Sequence, residues 1–308
     1  VSTSITPDET ASSVGYMAPD HHYLESWGDA EPKPGFYSLS QPAITPLFKT
    51  RHAGESFMVW AGDTNIDYFS VVKNNWNTWF AAKQTSGLDF ETFWDKCLYD
   101  GVLEFGPEAS ATVTFAGDVN AALSAISTTY KAANTGFELV IFESYGVGNG
   151  SQANNPLLQE LPDPITKAVW DHYVTVSQKD SKDLNIANDA EGNTQYLTIT
   201  ANGKTVELPA IIQPGQTPGT IGLAIGYGRT KVGAVAESIG GANAYPFITL
   251  LNGSLNYNVA SGVKVDNSGK AFQVAQTQIH QTYMGRENVI QESLLSEYHE
   301  DPSHWKEA

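Results

Sequence analysis

The 308 residues carry 17 Lys and Arg against 34 Asp and Glu, a formal charge of −17. A field of that sign repels nucleic acid and anionic lipid and favours a basic partner such as a basic cytochrome, although solubility alone also accounts for it. Cys97 is the one cysteine, which excludes a disulfide within the chain and an iron–sulfur cluster held by this chain alone, since a cluster normally takes four thiolates.

The length fits one large domain or two ordinary ones. No apolar run approaches the ~18 residues of a membrane span. The start, Val1–Ile5, has no basic or apolar leader pattern and reads as a short strand at a boundary inside a longer protein. Pro7-Asp8-Glu9-Thr10 opens a helical turn, with Pro and acids at its N-terminus. Tyr16–Pro19 is a short extended piece. Residues 20–50, rich in Pro, Gly, Ser and aromatics, read as a long irregular excursion. From 53 to 100 the spacing of Phe57, Trp60, Tyr68, Phe69, Val72, Trp76, Trp79 and Phe80 predicts helices with an aromatic core stripe. A further helix runs from Phe90 to Tyr99 and contains Cys97, which reads as a buried small hydrophobe.

Ala111–Phe115 reads as a strand and Val119–Ala132 as an amphipathic helix stopped by Asn134-Thr135-Gly136. The character then changes. Strands are expected at Phe137–Phe142, Tyr173–Val176, Tyr196–Thr200, Thr205–Ile212, Thr220–Ile225, Phe247–Leu251, Val263–Val265 and Ala271–Ile279, with a helical turn at Lys179–Leu184. Asn202-Gly203 is a two-residue hairpin signal. Many short strands with turn signals point to a barrel or sandwich. Glu287–His299 reads as an acidic terminal helix.

Candidate chemistry is sparse. His21 and His22 are adjacent, so on an extended chain they point to opposite sides and cannot share one ion. His52, His172, His280, His299 and His304 have no ligand spacing. Gly146-x-Gly-x-Gly150 follows a strand but lacks the complete dinucleotide fingerprint, and Gly226-Tyr227-Gly228-Arg229-Thr230 lacks a phosphate-loop Lys-Ser/Thr pair; each reads as a turn. No Gly-x-Ser-x-Gly elbow is present. Catalysis by this chain in isolation has no support in its residues.

Longer motifs carry a resemblance. Thr6-Pro7-Asp8-Glu9-Thr10-Ala11 with Tyr16-Met17-Ala18-Pro19, then Asn155-Pro156-Leu157-Leu158-Gln159-Glu160-Leu161-Pro162-Asp163-Pro164, then Val174–Ile186 followed by a hairpin and Pro218-Gly219-Thr220-Ile221-Gly222, together resemble the molybdopterin oxidoreductase superfamily. Pro19–Pro32, Leu161–Lys167 and Gly226–Thr230 narrow it to the large iron–sulfur subunits of bacterial alternative complex III, over roughly residues 6–300.

The resemblance implies an α/β plus β fold: a partial α/β region with a helical insertion over 1–135, a molybdopterin-dinucleotide-binding-like double-psi β-barrel over 136–285, and a C-terminal helical connector over 286–308. It implies a scaffold within a respiratory quinol:electron-acceptor oxidoreductase, part of electron transport on the periplasmic side of the bacterial inner membrane. The partners implied are an iron–sulfur domain of the same polypeptide, a membrane quinol-binding subunit and cytochrome c subunits, with no nucleic acid and no direct membrane insertion. The cofactors implied are 4Fe-4S and 3Fe-4S clusters in a part of the polypeptide beyond this chain and none within it, a bound molybdopterin being disfavoured. The family's pterin positions map onto Ser144, Tyr145, Gly146, Asn155 and Asn243. They look degenerate, because Ser144–Gly150 has neither the Arg nor the His that catalytic relatives place there. No catalytic and no metal residue is assigned. Two other readings stand beside this one: the C-terminal half of a true molybdenum or tungsten bis-pterin oxidoreductase, and a secreted β-rich carbohydrate-binding module.

Overall fold

The computed structural model describes residues 1–64, 66–106, 112–129, 136–187, 192–251, 253–278 and 293–303. It divides the chain into two units, Val1–Asp118 and Val119–Ala308. The expected domain boundaries at 135/136 and 285/286 fall on or beside residues outside that description, as do His280 and His304.

In the first unit the expected strand Val1–Ile5 is only a single parallel bridge, Ser2 to Met17. The expected helical turn is α1 (Glu9–Ser12), capped by the Asp8 carboxylate, which accepts from the Ala11 N–H at 2.7 Å. Residues 20–50 are less irregular than their composition suggests. They hold a hairpin, β1 (Gly28–Lys33) and β2 (Phe36–Ser40), turned at Gly35 with φ 76. Pro32 hides this strand from a sequence reading. It is tolerated because β1 is the sheet edge and its register slips between Ala30 and Lys33.

Helices α2 (Ala53–Trp60), α3 (Tyr68–Trp76) and α4 (Phe90–Asp100) follow, and β3 (Val102–Glu104) pairs with β2 to complete a three-stranded antiparallel sheet. Asp67 and Asp89 cap α3 and α4, and Gly101 ends α4 in the left-handed region at φ 72. A π turn over Asn77–Ala81 directly extends α3. Trp76 and Phe80 both stay in the core, with Val72, Phe93, Trp94 and Cys97. The aromatic stripe is therefore not all core: Phe57, Trp60 and Trp79 are at least half exposed. Burial, and secondarily the Asp100 carboxylate, push the Cys97 thiol up to about 11, so it packs as a hydrophobe rather than serving as a nucleophile. Residues 112–115 form no strand, and Ala111 lies outside the described residues.

The second unit begins with α5 (Val119–Thr129); the last residues expected of that helix lie outside the description. Then come β4 (Phe137–Glu143), α6 (Pro156–Gln159), β5 (Val174–Val176), α7 (Gln178–Asp183), β6 (Asn193–Ala201), β7 (Lys204–Ile212), β8 (Thr220–Ile225), α8 (Ala234–Ile239), β9 (Thr249–Leu251), β10 (Ser254–Asn256), β11 (Asn258–Gln273) and α9 (Leu295–Glu300). Of the expected terminal helix, 287–292 lie outside the description.

Six strands close a barrel in the order β11-β4-β8-β5-β7-β6, and β9 and β10 form a separate hairpin. The β4–β8 and β5–β7 pairs are parallel and the other barrel pairs antiparallel. Two expected strands, Val263–Val265 and the described part of Ala271–Ile279, belong to the single 16-residue β11. Gly262 and Gly269, both at φ 73, sit where its register slips, and these bulges broke the period-2 pattern. The resulting bend lets β11 pair with β4 over its first part and β6 over the rest, which closes the barrel.

The barrel core is aliphatic. Leu139, Val174, Val176, Leu197, Ile199, Ile221 and Leu223 are all buried in it, on alternating positions of their strands. Asn202 and Gly203, at φ 50 and 72, make the hairpin turn between β6 and β7 that their identity predicts. Buried Asp180 ties α7 to the barrel: its carboxylate accepts from the Ser177 hydroxyl at 2.7 Å and the Gly219 N–H at 2.8 Å. Both units mix helix and strand around separate cores, in line with an α/β plus β fold.

Candidate functional site

Because β4 and β8 run parallel and β5 runs against β8, one end of the barrel gathers three chain segments. They are the loop leaving β4 (Ser144–Ser151), the loop leaving β8 (Gly226–Gly233), and the run into β5 (Asp171–Tyr173). Four of the five expected site positions border this mouth directly, and Asn155 opens the helix behind it.

The two glycine loops, each readable alone only as a turn, are one junction. Gly150 and Gly226 have φ of 91 and 93. A Cβ on Gly150 would lie 2.7 Å from the Gly226 Cα, and one on Gly226 would lie 2.7 Å from the Gly148 carbonyl oxygen. The backbones touch where no side chain fits. Gly146 abuts the Leu158 carbonyl at 2.6 Å and Gly228 abuts the Asn243 nitrogen at 2.5 Å by the same measure. Arg229 donates to the Gly150 carbonyl at 2.6 Å, so its guanidinium clasps the first loop to the second.

The side chains at the expected positions make local contacts. The Ser144 hydroxyl accepts from the Val147 N–H at 3.3 Å, and Tyr145 is 72% exposed. Asn155 caps α6 by accepting from the Leu157 N–H at 3.0 Å. Its neighbour Asn154 makes the long-range bonds, accepting from the Val235 and Ala236 N–H groups and so capping α8 from another loop. Asn243 accepts from the Tyr245 N–H at 3.0 Å, and the Tyr245 hydroxyl donates to the Asn149 carbonyl at 2.7 Å. Through Tyr245 the Asn243 turn and the first glycine loop are joined.

His172, which the sequence offers only as a histidine without ligand spacing, is a structural centre of this mouth. Its ring is 4% exposed and stacks on Tyr227, with centroids 4.3 Å apart and planes 6° from parallel. The Ala242 N–H can only donate, so Nδ1 accepts from it at 3.1 Å and Nε2 carries the hydrogen, donating to the Ala224 carbonyl at 3.0 Å. One neutral tautomer thus holds the end of β8 and the 240–243 turn together. The only trace in sequence is its place just ahead of a buried apolar strand.

Burial pulls the His172 pKa down to about 4, against a weaker opposing effect of the Ala224 bond. Between that value and the ordinary one near 6.5, only the unfolded chain takes up the proton. Stability conferred by neutral His172 is therefore complete above about pH 6.5 and is lost as pH falls towards 4, by about 3 kcal/mol. Urea midpoints taken from pH 7 to pH 4 should fall more steeply for the wild type than for His172→Gln. Parallel slopes would show that His172 does not titrate on unfolding.

The rim of the mouth carries the half-buried Asp163 and Asp171, and desolvation raises the Asp171 pKa. Among the described residues no group of three or more His, Cys, Asp or Glu could hold a metal ion, and no helix is long and apolar enough to cross a membrane. A pyrophosphate-linked pterin needs several cationic or N–H donors. The carboxylates at the rim count against it; the two cations of the glycine loops are Arg229, which bonds to a backbone carbonyl, and Lys231.

No protein-family model matches the chain, and no curated protein matches its sequence. Among solved structures it is similar to acetylene hydratase from Pelobacter acetylenicus, at 13% identity and a TM-score of 0.47. That similarity covers 84% of this chain, which spans only 39% of the length of the hydratase chain. A likeness of that strength carries no conclusion about activity.

Proposed function

We propose that this chain is a cofactor-free scaffold domain of molybdopterin-oxidoreductase type, with a double-psi barrel, and that it serves the iron–sulfur subunit of a quinol:electron-acceptor oxidoreductase of the alternative complex III kind. In this reading it docks an iron–sulfur domain of the same polypeptide, a membrane quinol-binding subunit and cytochrome c subunits, on the periplasmic side of the inner membrane. The motif resemblance supports the family assignment. The observation that carries the scaffold role is the closed glycine junction at the barrel mouth. Loops that would cradle an anion with free N–H groups are instead packed backbone to backbone between Gly150 and Gly226 and clasped by Arg229.

Elemental and fluorescence analysis of the full-length protein provides the test. Molybdenum, tungsten and oxidised-pterin fluorescence should all be far below stoichiometric, while iron bound elsewhere in the polypeptide is expected. A molar equivalent of molybdenum or tungsten with pterin would overturn the scaffold role and establish the bis-pterin enzyme in its place. In that case Asn243→Ala should lower the pterin content.

A further inference from the structure

At the barrel mouth lies a cavity of about 20 Å³, space for one water-sized particle. Gln159, 3% exposed, forms part of its wall. The Gln159 Nε2 donates to the Ala153 carbonyl at 2.8 Å, which fixes the orientation of the amide. Its Oε1 is fully buried and receives no hydrogen bond from any described residue. An unmet buried acceptor costs roughly 1–3 kcal/mol and is rarely left so in a native protein.

Apart from the Trp170 indole N–H, the other polar side chains of the wall carry oxygen. Ser144, Asp163, Asp171, Tyr173 and Tyr227 face the cavity, and no Lys, Arg or His lines it. The hydroxyl donors have other acceptors: the Tyr173 hydroxyl is 2.7 Å from Thr166 Oγ1, and Thr166 Oγ1 donates to Asp163 at 3.0 Å. The Tyr227 hydroxyl is bonded to Ser144. Asp163 Oδ1 already accepts from the Ile165 and Thr166 N–H groups and Asp171 Oδ2 from the Ala275 N–H, so the acceptors offered to a ligand are Gln159 Oε1 and the second oxygen of each carboxylate. The backbone beside them is held in a costly conformation, with Lys167 at φ 61 and Trp170 at φ 64, neither of them glycine.

We infer that this cavity is a binding site for one water-sized monovalent cation, ammonium or potassium, held by Gln159 Oε1 and the carboxylates of Asp163 and Asp171. The ion brings positive charge, and ammonium brings N–H donors, to these acceptors. It also favours the ionised form of Asp171, which burial alone disfavours. The cavity wall includes Ser144, Tyr145 and Gly146, three of the positions a pterin would use, but cation binding does not rest on the scaffold reading.

The test is thermal unfolding of the full-length protein at constant ionic strength in ammonium, potassium or tetramethylammonium chloride. A ligand that binds only the folded state raises Tm, by about 5 °C when well above its dissociation constant. Ammonium, potassium or both should raise Tm saturably relative to tetramethylammonium, which is too large to enter. A rise with only one of the two identifies the ion. The rise should vanish in Gln159→Met, which keeps the volume and removes the acceptor. Equal Tm values in all three salts would overturn the site and leave the cavity to a water molecule. A full response in folded Gln159→Met would also overturn it. Should that variant not fold, Asp171→Asn is to reduce the response at least severalfold, and an unchanged response would overturn the assignment.

Discussion

Gly226→Ala should destabilise the second unit by about 3 kcal/mol or more, far beyond an ordinary glycine replacement. Two costs add. At φ 93 an alanine pays roughly 1–2 kcal/mol for a left-handed backbone. Its methyl also meets the Gly148 carbonyl oxygen at 2.7 Å and the Gly150 nitrogen at 2.8 Å, both backbone atoms that cannot rotate away. Gly215 is the control: its φ is 83, yet nothing lies within 4 Å of the position a Cβ would take. Gly215→Ala should cost only the conformational part, about 1 kcal/mol. Urea unfolding of the two variants separates contact from conformation. Equal losses would mean that the two loops do not depend on direct backbone contact.

Trp76→Ala should cost the first unit about 4 kcal/mol, the usual range for emptying a large aromatic site in a core. Trp76 is 0% exposed, lies 4.7 Å from Phe80 and 5.9 Å from Trp94 between ring centroids, and donates its indole N–H to Asp29 at 2.8 Å. Trp76→Phe keeps most of the apolar contact and loses the hydrogen bond, so about 1–2 kcal/mol is expected. The aromatic core around Trp76 and the aliphatic core of the barrel have no residue in common. Near-UV circular dichroism, which reports the tryptophan cluster, should therefore lose its signal at lower urea in Trp76→Ala, while the barrel transition stays near its wild-type midpoint. A single transition shifted as a whole would show the two cores to be one cooperative unit.

Segments whose own residue pattern reports burial were legible, even where their partners lie far off in sequence. The strand at Thr220–Ile225 matches its expected limits, and those at Phe137–Phe142 and Thr205–Ile212 match within a residue, because apolar runs bounded by turn residues report burial directly. The Asn202-Gly203 turn follows from the conformations those two residues favour. The hairpin in 28–40 was not legible, since an edge strand needs no alternation and can accept Pro32. Nor was the continuity of β11, whose bulge glycines resemble breaks.

At the barrel mouth the residues themselves were visible as glycine runs, but not what they meet. Gly150 and Gly226 are 76 positions apart, counted from their numbers. Their need for glycine is set by each other's backbone, so neither loop alone could announce it. The same holds for His172, whose partners at Ala224 and Ala242 are supplied by other strands and turns, and for Gln159, whose unmet oxygen exists only because packing has buried it. Composition and local pattern determined that this acidic chain offers a cluster only one thiolate and is β-rich after residue 136. Tertiary structure decided that the region closes as a barrel, that its two glycine loops seal against each other, and that a small cavity lies at the same mouth. The physical reason is that local conformational preference is written residue by residue, whereas close approach and burial belong to pairs of segments that only folding brings together.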